Sequence, residues 1–293
     1  MIRDARTVEQ AIQRITGDGA SIVAETAVSG GCISGGRRVD VSTGESYFVK
    51  SSASLPSPVF SSEAAGLEAL RRAGGPRVPL VAAVWSGAGE SFIIMEWIEQ
   101  SARGRRFARD FGSQLAAMHR AKQAERFGFE TDNYIGATPQ PNGWMSSWHD
   151  FFRERRIGFQ AELALERGVI DASLAQEIDR VLARLEELLP APEYPSLLHG
   201  DLWGGNYLVD GSGAPVLIDP AVYFGHREAD LAMTELFGGF PAQFYHAYRE
   251  EWPLDRGYSE RVPLYNLYHV LNHANMFGGS YVSSARSIVR RYR

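Results

Sequence analysis

The sequence contains one cysteine, Cys32. A single thiol can neither close an intrachain disulfide nor supply a multi-cysteine zinc site, so packing must provide the stability. Long apolar runs are missing too. The longest, Val78 to Trp85, is interrupted by Pro79 and falls far short of the roughly 18 residues of a membrane span. Positive charge is in deficit, with 30 Lys and Arg against 35 Asp and Glu for a formal net charge of −5. That balance argues against a general nucleic-acid binder. The start of the sequence, Met1-Ile2-Arg3-Asp4-Ala5-Arg6, runs into a polar helical pattern without the apolar core of a secretory signal. These absences predict a cytoplasmic protein with neither a nucleic-acid nor a membrane partner.

What is present is the composition of an ordinary globule, 44% hydrophobic and 22% charged over 293 residues. At roughly 150 residues per domain, this length suggests two domains or one two-lobed unit. Thr7 and Gln10 form a capping-box pattern ahead of Val8, Ala11, Ile12 and Ile15, which keep a helical period until Gly17. Short β-prone runs follow at 21–28, 37–41, 47–50, 78–84 and 92–95. Between the third and fourth, Phe60, Ala64, Leu67 and Leu70 mark a helix that ends at Ala73-Gly74-Gly75-Pro76. Beyond Trp97 the texture turns helical over 107–121, 148–167, 172–189, 228–237, 241–250 and 258–277, with β-like runs at 207–209 and 215–218. The shift near 97–100 predicts a β-rich part, residues 1–97, and a mostly helical part, residues 98–293.

The stretch His199-Gly200-Asp201-Leu202-Trp203-Gly204-Gly205-Asn206 matches the H-x-D-L-x-x-x-N catalytic loop of kinases, and Asp219 follows thirteen residues after Asn206. A loop between short strands can present Asp201 to a hydroxyl nucleophile. Asn206 and Asp219, a strand away, can offer oxygens to magnesium against nucleotide phosphates. This chemistry requires a lysine at the end of the third strand, paired with a glutamate on the next helix. Lys50 ends that run, and Glu63 shares the inward helical face of Phe60, Leu67 and Leu70. A carboxylate on that face needs a partner, and Lys50 supplies one. The segment from Ser29 to Gly36 between the first two strands holds Gly30, Gly31 and Cys32, where glycines would let backbone amides approach phosphates.

With these residues in view, the chain resembles the fructosamine kinases, or ketosamine-3-kinases, of the protein-kinase-like superfamily. The matches are Gly30-Gly31-Cys32-Ile33, His199-Gly200-Asp201-Leu202-Trp203, the run Asp219 to Phe240 and the segment Tyr268 to His273. Together they extend over nearly the whole chain. The resemblance implies an α+β bilobal protein-kinase-like fold, with an antiparallel sheet and one inserted helix in the smaller lobe. It implies ATP- and magnesium-dependent phosphorylation of the sugar 3-hydroxyl of ketosamines, either small molecules or glycated lysines on proteins, followed by release of the amine. By the same resemblance Asp201 is the catalytic base and Asn206 with Asp219 the metal ligands. Lys50 with Glu63 serves the nucleotide, and the main chain of Glu96, Trp97 and Ile98 forms the adenine hinge. Trp203 lies beside the reacting sugar, and Asp230 with His199 braces the catalytic loop. Ser29 and Gly204 depart from the family pattern without touching those roles.

The residues limit the substrate independently. Gly200 stands where protein kinases place the arginine of H-R-D, and only eleven positions separate Asp219 from Asp230. That leaves no room for a long activation segment, so a small hydroxylated acceptor or a projecting glycated lysine fits better than a regulated protein substrate. Kinases of choline or aminoglycosides and a nucleotide-binding pseudokinase are the competing readings. His269 and His273 lack the glutamate and third ligand of a zinc helix and are expected in the core or beside substrate. Trp144 and Trp148 are expected in packing, and the arginines at 103–109 and 286–293 at the surface. Cys32 could join two chains by a disulfide, so a monomer or a redox-linked dimer is expected.

Overall fold

The computed structural model describes residues 1–28, 35–56, 58–87 and 90–293. The phosphate-loop residues Gly30, Gly31 and Cys32 lie outside them. Helix α1 (Val8–Thr16) begins as predicted, with Thr7 Oγ1 accepting from Gln10 N at 3.1 Å, and Gln10 Oε1 accepts from Arg6 N at 3.1 Å. Five strands follow: β1 (Ile22–Val28), β2 (Gly36–Val41), β3 (Ser46–Ser52), β4 (Val81–Trp85) and β5 (Ser91–Glu96). They form an antiparallel sheet in the order β1-β2-β3-β5-β4. Helix α2 (Val59–Ala73) is inserted between β3 and β4.

The sheet separates two apolar clusters. Val8, Ala11 and Ile12 of α1 cover one face, where Val39, Val49, Phe92 and Ile94 are buried. On the other face Ile93, Met95 and Val84 meet Phe60, Ala64, Leu67 and Leu70 of α2, and this cluster continues into the helical part. Strand β5 is therefore buried on both sides, which explains its continuous run Phe92-Ile93-Ile94-Met95.

The second part is built on α3 (Phe107–Arg120), α4 (Trp148–Phe152), α5 (Phe159–Glu166), α6 (Ala172–Leu182), α7 (Leu185–Leu188), α8 (Glu228–Leu236), α9 (Ala242–Glu251), α10 (Tyr258–Phe277) and α11 (Ser280–Arg291). Three antiparallel pairs of short strands punctuate it: β6 (Asn133–Ile135) with β7 (Thr138–Gln140), β8 (Ser196–Leu198) with β11 (Tyr223–Gly225), and β9 (Tyr207–Val209) with β10 (Pro215–Leu217). No helix among the described residues is long and apolar enough to cross a membrane.

Four expectations need correction. The pattern 148–167 is not one helix, because a π-helical turn, Arg153–Gly158, separates α4 from α5. A Cβ on Gly158 would stand 2.5 Å from Arg153 O, so the widened turn requires glycine. The pattern 172–189 breaks at Ala183-Arg184 into α6 and α7. Strands β6, β7, β8 and β11, of three residues each, add to the two β-like runs expected in this part; β8 and β11 pair only across the whole catalytic loop, as Leu198 with Tyr223. Helix α11 at the chain end was not expected: it buries Ala285 and Val289, while Arg290, Arg291 and Arg293 are exposed as expected, Arg286 pairs with Asp171 and Arg293 with Glu177. Trp148 is buried at 2% exposure and Trp144 stacks on Phe224, so both tryptophans serve packing as expected.

Candidate active site

The site forms where α2, the sheet and the β8–β11 region converge. Lys50, near the end of β3, directs Nζ to Glu63 Oε1 at 2.7 Å and to Asp219 Oδ1 at 2.5 Å. Burial opposes the charge on Lys50, but the carboxylates of Glu63 and Asp219 outweigh it and hold its pKa above the usual lysine range. The Lys50 contact to Asp219 was not anticipated from sequence. It joins residues 169 apart and ties the sheet to the helical part. Asp219 has φ 54°, the one non-glycine residue with positive φ among the described residues. Aspartate tolerates that region better than bulkier residues, and strain of this kind concentrates at functional sites.

The catalytic-loop motif lies between β8 and β9. Asn206 Nδ2 donates to Asp201 O at 2.8 Å and to Asp201 Oδ2 at 2.9 Å. The amide nitrogen thus fixes the carboxylate, and the Asn206 carbonyl oxygen is left to accept from or ligate another group. Burial pushes the Asp201 carboxyl up to about 7; the Asn206 bond opposes this, and the charges of Asp219 and Asp230 add to it. Asp230 braces the loop from α8. Its carboxylate accepts from His199 N at 2.7 Å and Gly200 N at 2.8 Å, and His119 Nε2 lies 3.2 Å away. Burial works against that charge, but the His119 and backbone bonds prevail and lower its pKa.

His199 completes the turn, with Nε2 donating to Ile218 O at 2.9 Å and Nδ1 accepting from Asp201 N at 3.3 Å. Burial keeps the imidazole neutral by lowering its pKa. Gly200 has φ 83°, and a Cβ there would come within 1.9 Å of Ala221 O. No side chain fits at Gly200, which accounts for the missing arginine of the protein-kinase motif.

The remaining predicted residues are distributed around this centre. Trp203 meets Phe237 edge to face at 5.9 Å between centroids. Glu96 ends β5 with its carboxylate committed to Arg77 at 2.9 Å and Leu80 N at 3.0 Å, and its own N–H donates to Leu80 O at 2.9 Å. Trp97 Nε1 donates to Glu99 Oε1 at 2.9 Å, Arg38 lies over its ring at 5.0 Å, and Ile98 is buried. No cluster of three His, Cys, Asp or Glu side chains among the described residues could hold a metal by itself. Asn206 and Asp219 nevertheless fit a hard cation such as magnesium, which takes few protein oxygens and shares phosphate and water ligands.

The model of the family described as fructosamine kinase matches residues 4–293. The chain belongs to the fructosamine kinase family. A protein described as a ketoamine kinase from Synechocystis is 43% identical over 286 residues, spanning 98% of this chain and 96% of its own. A protein-ribulosamine 3-kinase from Oryza sativa subsp. indica is 41% identical over 94% of this chain and 80% of its own. Among solved structures, a fructosamine-3-kinase from Thermobifida fusca superposes with a TM-score of 0.86 at 35% identity, covering 98% of this chain and 99% of that one. An aminoglycoside phosphotransferase with TM-score 0.61 and 19% identity shares the fold alone. The chain therefore has the protein-kinase-like, α+β phosphotransferase fold.

Several residues that position this fructosamine kinase site carried no sequence signal of their own. Arg77 bridges Glu96 at 2.9 Å and Asp210 at 3.1 Å, clamping the end of β5 to the β9–β10 hairpin. Asn133 Nδ2 donates to Val222 O at 2.8 Å and Gln140 Nε2 to Ala221 O at 3.0 Å, holding the chain just after Asp219. Neither side chain stands in a motif or a periodic run. His269, by contrast, was expected from sequence in the core or beside substrate, and it is 3% exposed with its Nδ1 4.0 Å from Asp201 Oδ1. That nitrogen has no hydrogen-bond partner, and burial pushes the imidazole down to about 3.

Proposed function

We propose that the protein transfers the γ-phosphoryl group of ATP to the 3-hydroxyl of ketosamines, with magnesium, and so promotes release of the amine. Family membership and the curated relatives support a phosphotransferase acting on a sugar hydroxyl. The observation that carries the mechanism is the fixed Asp201 carboxylate beside the Lys50, Glu63 and Asp219 cluster. Asp201 accepts the proton of the attacking hydroxyl, and Asn206 keeps its carboxylate oriented. Lys50 contacts the nucleotide phosphates and Glu63 holds the ammonium in place. Asn206 and Asp219 would hold magnesium, which neutralises phosphate charge when bound. Glu96, Trp97 and Ile98 offer main-chain groups to the adenine, and Gly30, Gly31 and Cys32 cover the phosphates.

Trp203 lies against the sugar. His269 presents its unpartnered Nδ1 to a second hydroxyl next to the reacting one. Asp230 and His199 act on the backbone of the loop. In this reading residues 1–97 and 98–293 are two lobes, with the nucleotide between them. The test is ADP release with fructosamine, ribulosamine, choline and an aminoglycoside. Turnover confined to the ketosamines is expected; preference for choline or the aminoglycoside would overturn the substrate assignment, and nucleotide binding without any turnover would indicate a pseudokinase.

A further inference from the structure

The catalytic loop opens onto a row of aromatic rings that its chemistry does not use. Trp203 meets Phe237 at 5.9 Å, Phe237 meets His273 at 5.1 Å, and His273 meets Phe277 at 5.8 Å and Tyr281 at 5.1 Å. Three segments contribute: the loop after Asp201, the end of α8, and the corner between α10 and α11. Phe237 is 43% and Phe277 57% exposed, an unusual concentration of apolar surface for two rings that bracket one histidine. Every ring face that a cation covers among the described residues lies elsewhere, under Arg38, Arg103, Arg126, Arg156 or Arg227. The row beside Asp201 is apolar, aromatic and open to a cation supplied by a ligand.

We propose that this row binds the amine-bearing arm of the substrate, the protonated secondary amine that joins the sugar to a lysine and the aliphatic stem beyond it. This rests on the ketosamine reading above. In a ketosamine the nitrogen is on carbon 1 and the reacting hydroxyl on carbon 3, so placing that hydroxyl at Asp201 keeps the nitrogen close to Trp203. Ring faces attract an ammonium through their quadrupole, and the methylenes of the stem bury apolar surface against Phe237, Phe277 and Tyr281. Trp203 belongs to the sugar end of the row and the other rings to the carrier end, so they select how the sugar is presented while Asp201 performs the transfer.

The test compares two substrates with one sugar: a fructosamine bearing no arm, and a peptide bearing a fructosylated lysine. Phe277→Ala and Tyr281→Ala alter exposed or half-exposed rings. Each is expected to raise KM for the glycated peptide about tenfold, the size of exposing about two buried methylenes, while kcat, KM for ATP and the armless substrate stay within about twofold. A thioether-linked peptide analogue, which keeps the stem and lacks the positive charge, should bind the wild type more weakly and stay sensitive to both substitutions. Equal effects on armed and armless substrates, or none on either, would overturn the proposal. If the wild-type chain phosphorylated the armless fructosamine and not the peptide, the arm subsite alone would fall; if it phosphorylated neither, the ketosamine reading would fall with it. Concentration-dependent dimerisation abolished by Phe277→Ala would assign the rings to a second copy of the chain and also overturn it.

Discussion

Asp230 directs its two carboxylate oxygens at two successive backbone amides, His199 and Gly200, from beneath the loop that carries Asp201. Asn in its place could accept only one of those bonds. Asp230→Asn is therefore expected to cost about 1.5–3 kcal/mol, the value of a hydrogen bond to a charged group, and to lower kcat more than KM for ATP; urea titration and steady-state kinetics check both. His226 makes a separate claim. Its Nδ1 accepts from Glu228 N at 3.2 Å and faces the Tyr265 hydroxyl at 3.1 Å, and burial, with Arg227 and Arg261 nearby, pushes it down to about 3. The folded state keeps this imidazole neutral while the unfolded chain protonates it below about 6.5. Its contribution is thus complete above pH 6.5 and is lost as pH falls towards 3. Asp201 titrates with the opposite sign, so the measurement must be differential. The stability gap between wild type and His226→Asn should shrink by about 1.4 kcal/mol per pH unit below 6.5; a gap independent of pH would contradict this. At this scale the motif residues were legible, because their spacing reflects the chemistry they face. His269, expected in the core or beside substrate, is buried next to Asp201, whereas Asn133 and Arg77 were not legible, since only the folded chain brings them to Val222 and Glu96.

Among the elements, α2 connects sequence to site most directly. Its period was visible in Phe60, Ala64, Leu67 and Leu70, and the same face carries Glu63 to Lys50. Leu67 is 1% exposed in the cluster that joins the sheet to the helical part. Leu67→Ala should cost about 2–5 kcal/mol and raise KM for ATP through loosening of the Glu63–Lys50 pair, both read from denaturant curves and kinetics. Elements governed by tertiary contacts were less legible. The π-turn carries Arg156 inward, where its guanidinium lies 3.9 Å from the Tyr223 ring and donates to Pro141 O and Asn142 Oδ1. Periodicity reports one continuous helix there because a single widened turn barely shifts the apolar spacing. Helix α11 was obscured by its arginines, whose partners Asp171 and Glu177 lie far away in sequence.

For the whole molecule, the apolar cluster crosses the change in texture near residue 97, from Ile93 and Leu67 to Leu198 and Val222. Calorimetry should therefore show one cooperative transition, where two independent domains would give two. The composition shift located the change in secondary structure but could not reveal a shared core, since that depends on which faces meet. The sequence also has only two lysines, Lys50 and Lys122, among its 30 basic residues. Lys50 is buried and doubly ion-paired, while Lys122 is exposed and paired with Glu125 at 3.2 Å. Prolonged incubation with ribose should place lysine adducts on Lys122 and spare Lys50, as mapped by peptide mass spectrometry, with ketosamine turnover retained. The most direct measurement of the central claim follows one turnover of fructosyl-lysine by phosphorus NMR in wild type and Asp201→Asn. Wild type is expected to form a 3-phosphate and the variant none at unchanged fold; phosphorylation at another hydroxyl, or undiminished transfer by Asp201→Asn, would overturn the assignment of Asp201 as the base at the 3-hydroxyl.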